Sequence, residues 1–310
     1  MTTLNPRNFS PGTTCSPGLA NGDGTKIFAG FPSPQEPAGP PWTHPVVDPA
    51  RIAPWGNPSP FAIPAQPPSR NPPPRGKLLS KVTAAIEAAR GKTDTAKRTH
   101  MVFVLDVSSS MLQGKELTMA AFNDQLRLVR ESAKEAGVTT VSLILFGSDV
   151  VVKTKFGDVH QVADLTHATY APYGSTSLYD AIGKAIKLVI KADGFGEADT
   201  AFLVTVLTDG EENSSTEYEG AELAQCIQAL EATKTVSFSI LGPKEHLQQL
   251  GDVLKIERSN IGGYDAGSTQ GRAKGMASMV TATSAYLATR AAGGTQAVGM
   301  YSASPDKLGV

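Results

Sequence analysis

Nineteen of the 22 prolines in this 310-residue chain lie between Pro6 and Pro74, leaving only Pro172, Pro243 and Pro305 for the rest. Proline fixes φ and carries no N–H, so residues 1–75 cannot form a long helix or a central strand. The composition predicts an extended arm with polyproline-like pieces. It is poor in charge and carries isolated apolar residues, among them Phe9, Phe28, Phe31, Trp42, Ile52, Trp55 and Phe61. Such spaced anchors suit an arm laid on another surface. A plain linker is the competing reading, and both stay open.

Beyond the arm the pattern changes. Residues 76–99 read as a helix and a linker, because Leu78, Leu79, Val82, Ala85, Ile86 and Ala89 share a face. From His100 strands and helices alternate. Val102–Leu105 is an apolar run of the kind found in a strand buried on both faces; Thr139–Phe146 reads as a second buried strand, Ala201–Leu207 as a third central strand and Thr235–Leu241 as another strand. Val150–Phe156 follows the second run after only Gly147–Asp149, too short for a crossover, so it should pair antiparallel at the sheet edge. Leu254–Arg258 is the expected last strand. Helices are expected after Met111, over Ser177–Ile190, Tyr218–Ala232 and His246–Asp252, and finally over Gln270–Arg290. The pattern is α/β: a doubly wound, mostly parallel six-stranded sheet with one antiparallel edge strand. It would occupy residues 100–290, with a tail over 291–310.

The stretch Val102–Met111, VFVLDVSSSM, brings a buried strand to Asp106 at its carboxyl end, where open α/β sheets place their ligands. Ser108 and Ser110 follow at i+2 and i+4. Alone this is a weak signal, equally a polar turn with serines capping the next helix. Asp209 ends a second central strand in the same manner, within Thr208–Asp209–Gly210. Between them lies Gly174–Ser175–Thr176–Ser177, a glycine-led turn entering a helix. Loops at the carboxyl ends of neighbouring strands converge, so two carboxylates and three hydroxyls can meet around one ion. Oxygen donors of this kind suit Mg²⁺, Mn²⁺ or Ca²⁺ rather than Zn²⁺. Mg²⁺ in so sparse a set keeps a position for water or an outside oxygen, and an Asp or Glu of a partner protein is the natural candidate.

Taken in order, Asp106-x-Ser108-x-Ser110, Thr176 in a Gly-x-Thr turn and Asp209 in Thr-Asp-Gly resemble the metal-ion-dependent adhesion site of von Willebrand factor A-type (vWA) domains. The resemblance runs from about His100 to about Arg290. Gly174–Ile182 and Leu207–Glu219 look like the intracellular bacterial and phage members. It implies a Rossmann-like vWA fold, an ion held by Ser108, Ser110 and Thr176 with Asp106 and Asp209 binding it directly or through water, and a partner's acid completing the shell. Ser109 stands where many members have glycine, which bears on turn geometry and not on ligation.

Other classes find little support. The formal net charge is −1, with no basic excess to suit nucleic acid. Cys15 and Cys226 make neither a disulfide framework nor a zinc site, and His44, His100, His160, His167 and His246 form no metal-binding pair at helical spacing. No basic start followed by an apolar core precedes Gly30, and no apolar run is long enough to span a membrane. The expected location is the cytoplasm, or a virus particle assembled there. Gly91–Lys92–Thr93 comes closest to a P-loop, but Ile86 stands where its first glycine belongs. No nucleophile elbow occurs and no histidine is placed to activate Ser108 or Ser110. A metal-assisted hydrolase is the minor alternative. The principal expectation is a non-enzymatic, metal-dependent module that captures an acidic residue. The alternative is a structural part of a larger assembly, such as a phage virion or neck-and-tail complex, in which residues 1–75 lace subunits together.

Around the site, Glu211, Glu212 and Asn213 are read as capping the next helix together with Ser214–Thr216, or else as a second cation site or a partner selector. Tyr173 and Tyr179 are either an apolar rim or half-buried turn residues. Asp180 is expected to be solvated or helix-stabilising, and Asn260–Asp265 a structural turn.

Overall fold

A computed structural model describes residues 76–302 apart from 93 and 95. The arm expected over residues 1–75 and the end of the tail lie outside the described residues. The sheet has six strands in the order β3-β2-β1-β4-β5-β6. They are β1 (Arg98–Asp106), β2 (Val138–Phe146), β3 (Val150–Asp158), β4 (Thr200–Leu207), β5 (Val236–Pro243) and β6 (Ile261–Tyr264). Every pairing is parallel except β2 with β3, the antiparallel edge that the short Gly147–Asp149 link requires.

Side chains alternate across this sheet and build two cores. Val102 and Val104 of β1, with Ile144, Phe202, Val204 and Phe238, face one side. There they pack under α3 (Leu178–Val189) and α4 (Gly220–Glu231), with α1 (Lys77–Ala89) inserting Leu78 and Val82 and α5 (Lys244–Leu254) inserting Leu247 and Leu254. Met101, Phe103 and Leu105 face the other side under α2 (Lys115–Ala136) and α6 (Thr269–Ala291). The central strands are therefore buried along nearly their whole length, and periodicity alone does not reveal which residue faces which core.

Two expectations need correction. The last strand is not Leu254–Arg258: Leu254 ends α5, and β6 lies within the glycine-rich segment expected to be a turn. The glycines are what admit it. A Cβ at Gly262 would stand 2.6 Å from the Tyr301 ring, and one at Gly263 would stand 2.7 Å from Lys244. Only a bare backbone passes between these neighbours beside β5. The second correction concerns the acidic loop after β4, described below. Past α6 the chain also packs, with Ala297, Met300 and Tyr301 buried.

Candidate metal centre

Three loops meet at the carboxyl ends of β1 and β4. The first leaves β1 at Asp106 and turns through a 3₁₀ segment, Ser109–Gly114, before α2. Asp106 is fully buried. Its Oδ1 accepts from the Ser108 N–H at 2.6 Å, and its Oδ2 accepts from the Thr208 hydroxyl at 2.7 Å. The Tyr170 hydroxyl donates to the Asp106 carbonyl at 2.6 Å and so holds the end of β1 from below. Ser108 and Ser110 stand with their hydroxyl oxygens 2.9 Å apart, and the Ser110 hydroxyl donates to Asp209 Oδ1 at 2.6 Å.

The second loop brings in Thr176. Gly174, at φ +83°, makes a turn that L side chains rarely adopt and presses against Ser148 of the hairpin. The Ser109 N–H donates to the Gly174 carbonyl at 3.1 Å, and the Tyr173 N–H to the Val107 carbonyl at 2.7 Å, which pins the first loop to the second. On the third loop, Gly210 follows Asp209. A Cβ placed on Gly210 would stand 3.1 Å from Thr176 Oγ1, 3.5 Å from Ser110 Oγ and 3.8 Å from Ser108 Oγ. All three hydroxyls therefore face one small niche, and Asp209 is bonded to one of them.

Burial drives the electrostatics. It raises the Asp106 carboxyl to about 6, with the neighbouring Asp209 charge adding to the rise and the Ser108 and Thr208 hydrogen bonds opposing it. Burial also raises Asp209, against the pull of the Ser110 hydroxyl, Arg272 and His246. Two carboxylates are thus held close together in a water-poor niche. This is an environment in which a divalent cation favours both ionised forms. Among the described residues no group of three or more His, Cys, Asp and Glu side chains is arranged to hold a metal. Any ion here would depend on hydroxyls as much as on carboxylates, a hard-oxygen set.

Thr208 was not expected in the site, although it lies in the same Thr-Asp-Gly run. The acidic loop differs more. Glu212 accepts from the N–H groups of Tyr179, Ser214 and Ser215 and from the Ser215 hydroxyl, at 2.7–2.9 Å. Asn213 Oδ1 accepts from the Thr176 N–H at 2.9 Å, and Ser215 Oγ from the Asp180 N–H at 3.0 Å. The loop caps the start of α3, which precedes it in the chain, and not α4, which follows. Asp180 answers by accepting from the N–H groups of Thr216, Glu217 and Tyr218. Thr176 is therefore set in place by the loop that carries Asp209. Of the two tyrosines, Tyr173 is exposed, as is Leu112 on the first loop, while Tyr179 is half-buried.

A parallel sheet with one antiparallel edge, helices on both faces and a hydroxyl–carboxylate niche at the strand ends defines a vWA-like fold. Residues 101–211 match the von Willebrand factor type A domain family. Similar solved structures include a von Willebrand factor type A protein from Catenulispora acidiphila, at 16% identity and a TM-score of 0.40, covering 62% of this chain and 44% of that one. The PilB minor pilin of Streptococcus sanguinis is 11% identical, with a TM-score of 0.44 and 63% of each chain covered. The pilus adhesin SpaC of Lactobacillus rhamnosus GG is 14% identical, with a TM-score of 0.44, covering 65% of this chain and 30% of that one. The chain thus spans less than two thirds of the length of each. No curated protein sequence matches it. Among the described residues no helix is long and apolar enough to cross a membrane.

Proposed function

We propose that the chain is a divalent-cation-dependent protein-binding module, in which Asp106, Ser108, Ser110, Thr176 and Asp209 hold Mg²⁺, or Mn²⁺ or Ca²⁺ in its place, and capture an Asp or Glu of a partner. The observation that carries this reading is the convergence of the Ser108, Ser110 and Thr176 hydroxyls beside Gly210, with Asp209 bonded into the same cluster. A bound ion would supply a concentrated positive charge with coordination left over for an outside carboxylate. The chain's own residues do the rest. Asp106 and Asp209 balance a charge of two, and the neutral hydroxyls fill positions without overcompensating it. Thr208, Tyr170 and Asn213 hold the three loops in register. Leu112 and Tyr173 offer apolar surface on the first two loops for a partner to cover.

Titration calorimetry tests the metal. The wild type is expected to bind Mg²⁺, and Asp106→Ala to lose that binding with an unchanged circular dichroism spectrum; equal binding by both would end the reading. Size-exclusion chromatography with and without EDTA tests the partner, using the full chain and a version starting at Gly76. Association that EDTA abolishes supports capture through the metal. Association lost only with residues 1–75 assigns it to that segment, as in the lacing role within an assembly.

A further inference from the structure

A cleft of about 270 Å³ opens directly beside the niche, with Gly210 and Glu211 on its wall. Its lining mixes apolar side chains, Leu178 and Tyr179 at the start of α3 and Leu250 and Val253 of α5, with the polar Gln249 and His246 of α5. Its rim is anionic. The Glu212 carboxylate is engaged with the loop's own N–H groups, but Glu211 extends outward, its side chain 73% exposed, with His246 Nδ1 3.0 Å from its Oε1. Glu245 and Asp252 continue the negative charge along the neighbouring face of α5. Even a loaded metal site adds to it, since two aspartates and one partner carboxylate outweigh a divalent ion by one charge.

A cleft that sets apolar side chains beside an exposed carboxylate matches a side chain with a hydrocarbon stem and a cationic head. We propose that the cleft receives a lysine or arginine lying within three residues of the acidic side chain that the partner offers, its stem on Tyr179, Leu250 and Val253 and its head on Glu211. The recognised segment is then an acidic–basic pair, and Glu211 is the residue that selects the basic member. This rests on the metal-dependent reading of the neighbouring site. It also gives Glu211 a role other than helix capping, which falls to Glu212, Asn213 and Ser215.

The test uses the full chain on immobilised nonapeptides of glycine and serine carrying one central aspartate. Arginine, norleucine or glutamate is placed at each position within three residues of it, and retention is read in Mg²⁺ and in EDTA. Mg²⁺-dependent retention is expected, with arginine exceeding norleucine by about fivefold at one spacing or more, the scale of a partly shielded ion pair. Glu211→Gln should bring the arginine peptide down to the norleucine level. Retention that EDTA leaves unchanged, or no retention at all, overturns the metal reading and this proposal with it. Retention that needs Mg²⁺ but favours norleucine or glutamate, or that Glu211→Gln leaves unmoved, overturns the cleft assignment alone.

Discussion

At Gly210 a missing side chain is what makes room. A methyl group there would sit 3.1 Å from Thr176 Oγ1 and 3.5 Å from Ser110 Oγ, inside the space the three hydroxyls share. Gly210→Ala is therefore expected to weaken Mg²⁺ affinity by about tenfold in calorimetry, with little change in melting temperature. His100 gives a second residue-scale prediction. It lies buried, stacked on Phe202 with ring centroids 4.7 Å apart and edge-on to Phe156 at 5.5 Å. Its Nε2 lies 3.1 Å from the Asp193 carbonyl, which can only accept, so Nε2 carries the proton and Nδ1 accepts from the Thr140 hydroxyl at 2.7 Å. Burial lowers its pKa from 6.5 to about 4. The unfolded chain binds this proton more readily than the folded one. The contribution is thus complete above about pH 6.5 and lost as pH falls toward 4, a span worth roughly 3 kcal/mol. Urea titrations of the wild type and His100→Gln should converge in stability across that window as the pH falls; a constant difference would contradict the assignment.

At the scale of elements, the joint between α3 and the loop after β4 holds the second and third site loops together. Asp180→Ala would strip three N–H groups of their acceptor. The expected cost is about 1–2 kcal/mol, with faster hydrogen exchange at Thr216–Tyr218. The same joint shows what local reading can reach. Acids and small polar residues before α4 are a proper capping signal, and capping is what they do. Which helix they cap is decided by the fold bringing α3 back to the end of β4, at a separation of more than thirty residues. β6 teaches a similar lesson. Adjacent glycines such as Gly262 and Gly263 argue for a turn when seen alone, and become a strand only because Tyr301 and Lys244 crowd that path. β1, β2, β4 and β5 were legible because a strand buried on both faces is mostly apolar, with only small polar residues such as Ser142, Thr205, Ser237 and Ser239 interrupting it.

Arg290 ties the last helix to the amino ends of the central strands, at the opposite end of the sheet from the hydroxyl–carboxylate niche. Its side chain is fully buried and donates to the Thr99 hydroxyl, to the carbonyls of Arg98, Asp199 and Gly294, and to the Asp199 carboxylate at 3.2 Å. Arg290→Ala would leave several of these acceptors unpaired in the interior, at a cost of about 3–5 kcal/mol. Chemical denaturation should read this as a shift in midpoint for the whole domain. The rest of the buried face of α6, including Met276, Met279, Tyr286 and Leu287, packs into the core shared with α2.

From its residues alone the chain declared its class. Proline crowding set residues 1–75 apart, largely apolar strands alternating with helices called for a mostly parallel sheet, and a three-residue link required an antiparallel edge. Asp106, Ser108, Ser110, Thr176 and Asp209 were singled out by their oxygen donors and their order along the chain, and their role as ion ligands is the proposal made above. Only the tertiary structure decided that Thr208 secures Asp106, that Glu212 and Asn213 serve α3, and that a cleft runs from Gly210 toward α5. Those outcomes depend on contacts between residues far apart in the chain, and no local pattern encodes which distant backbone groups will be left needing a partner.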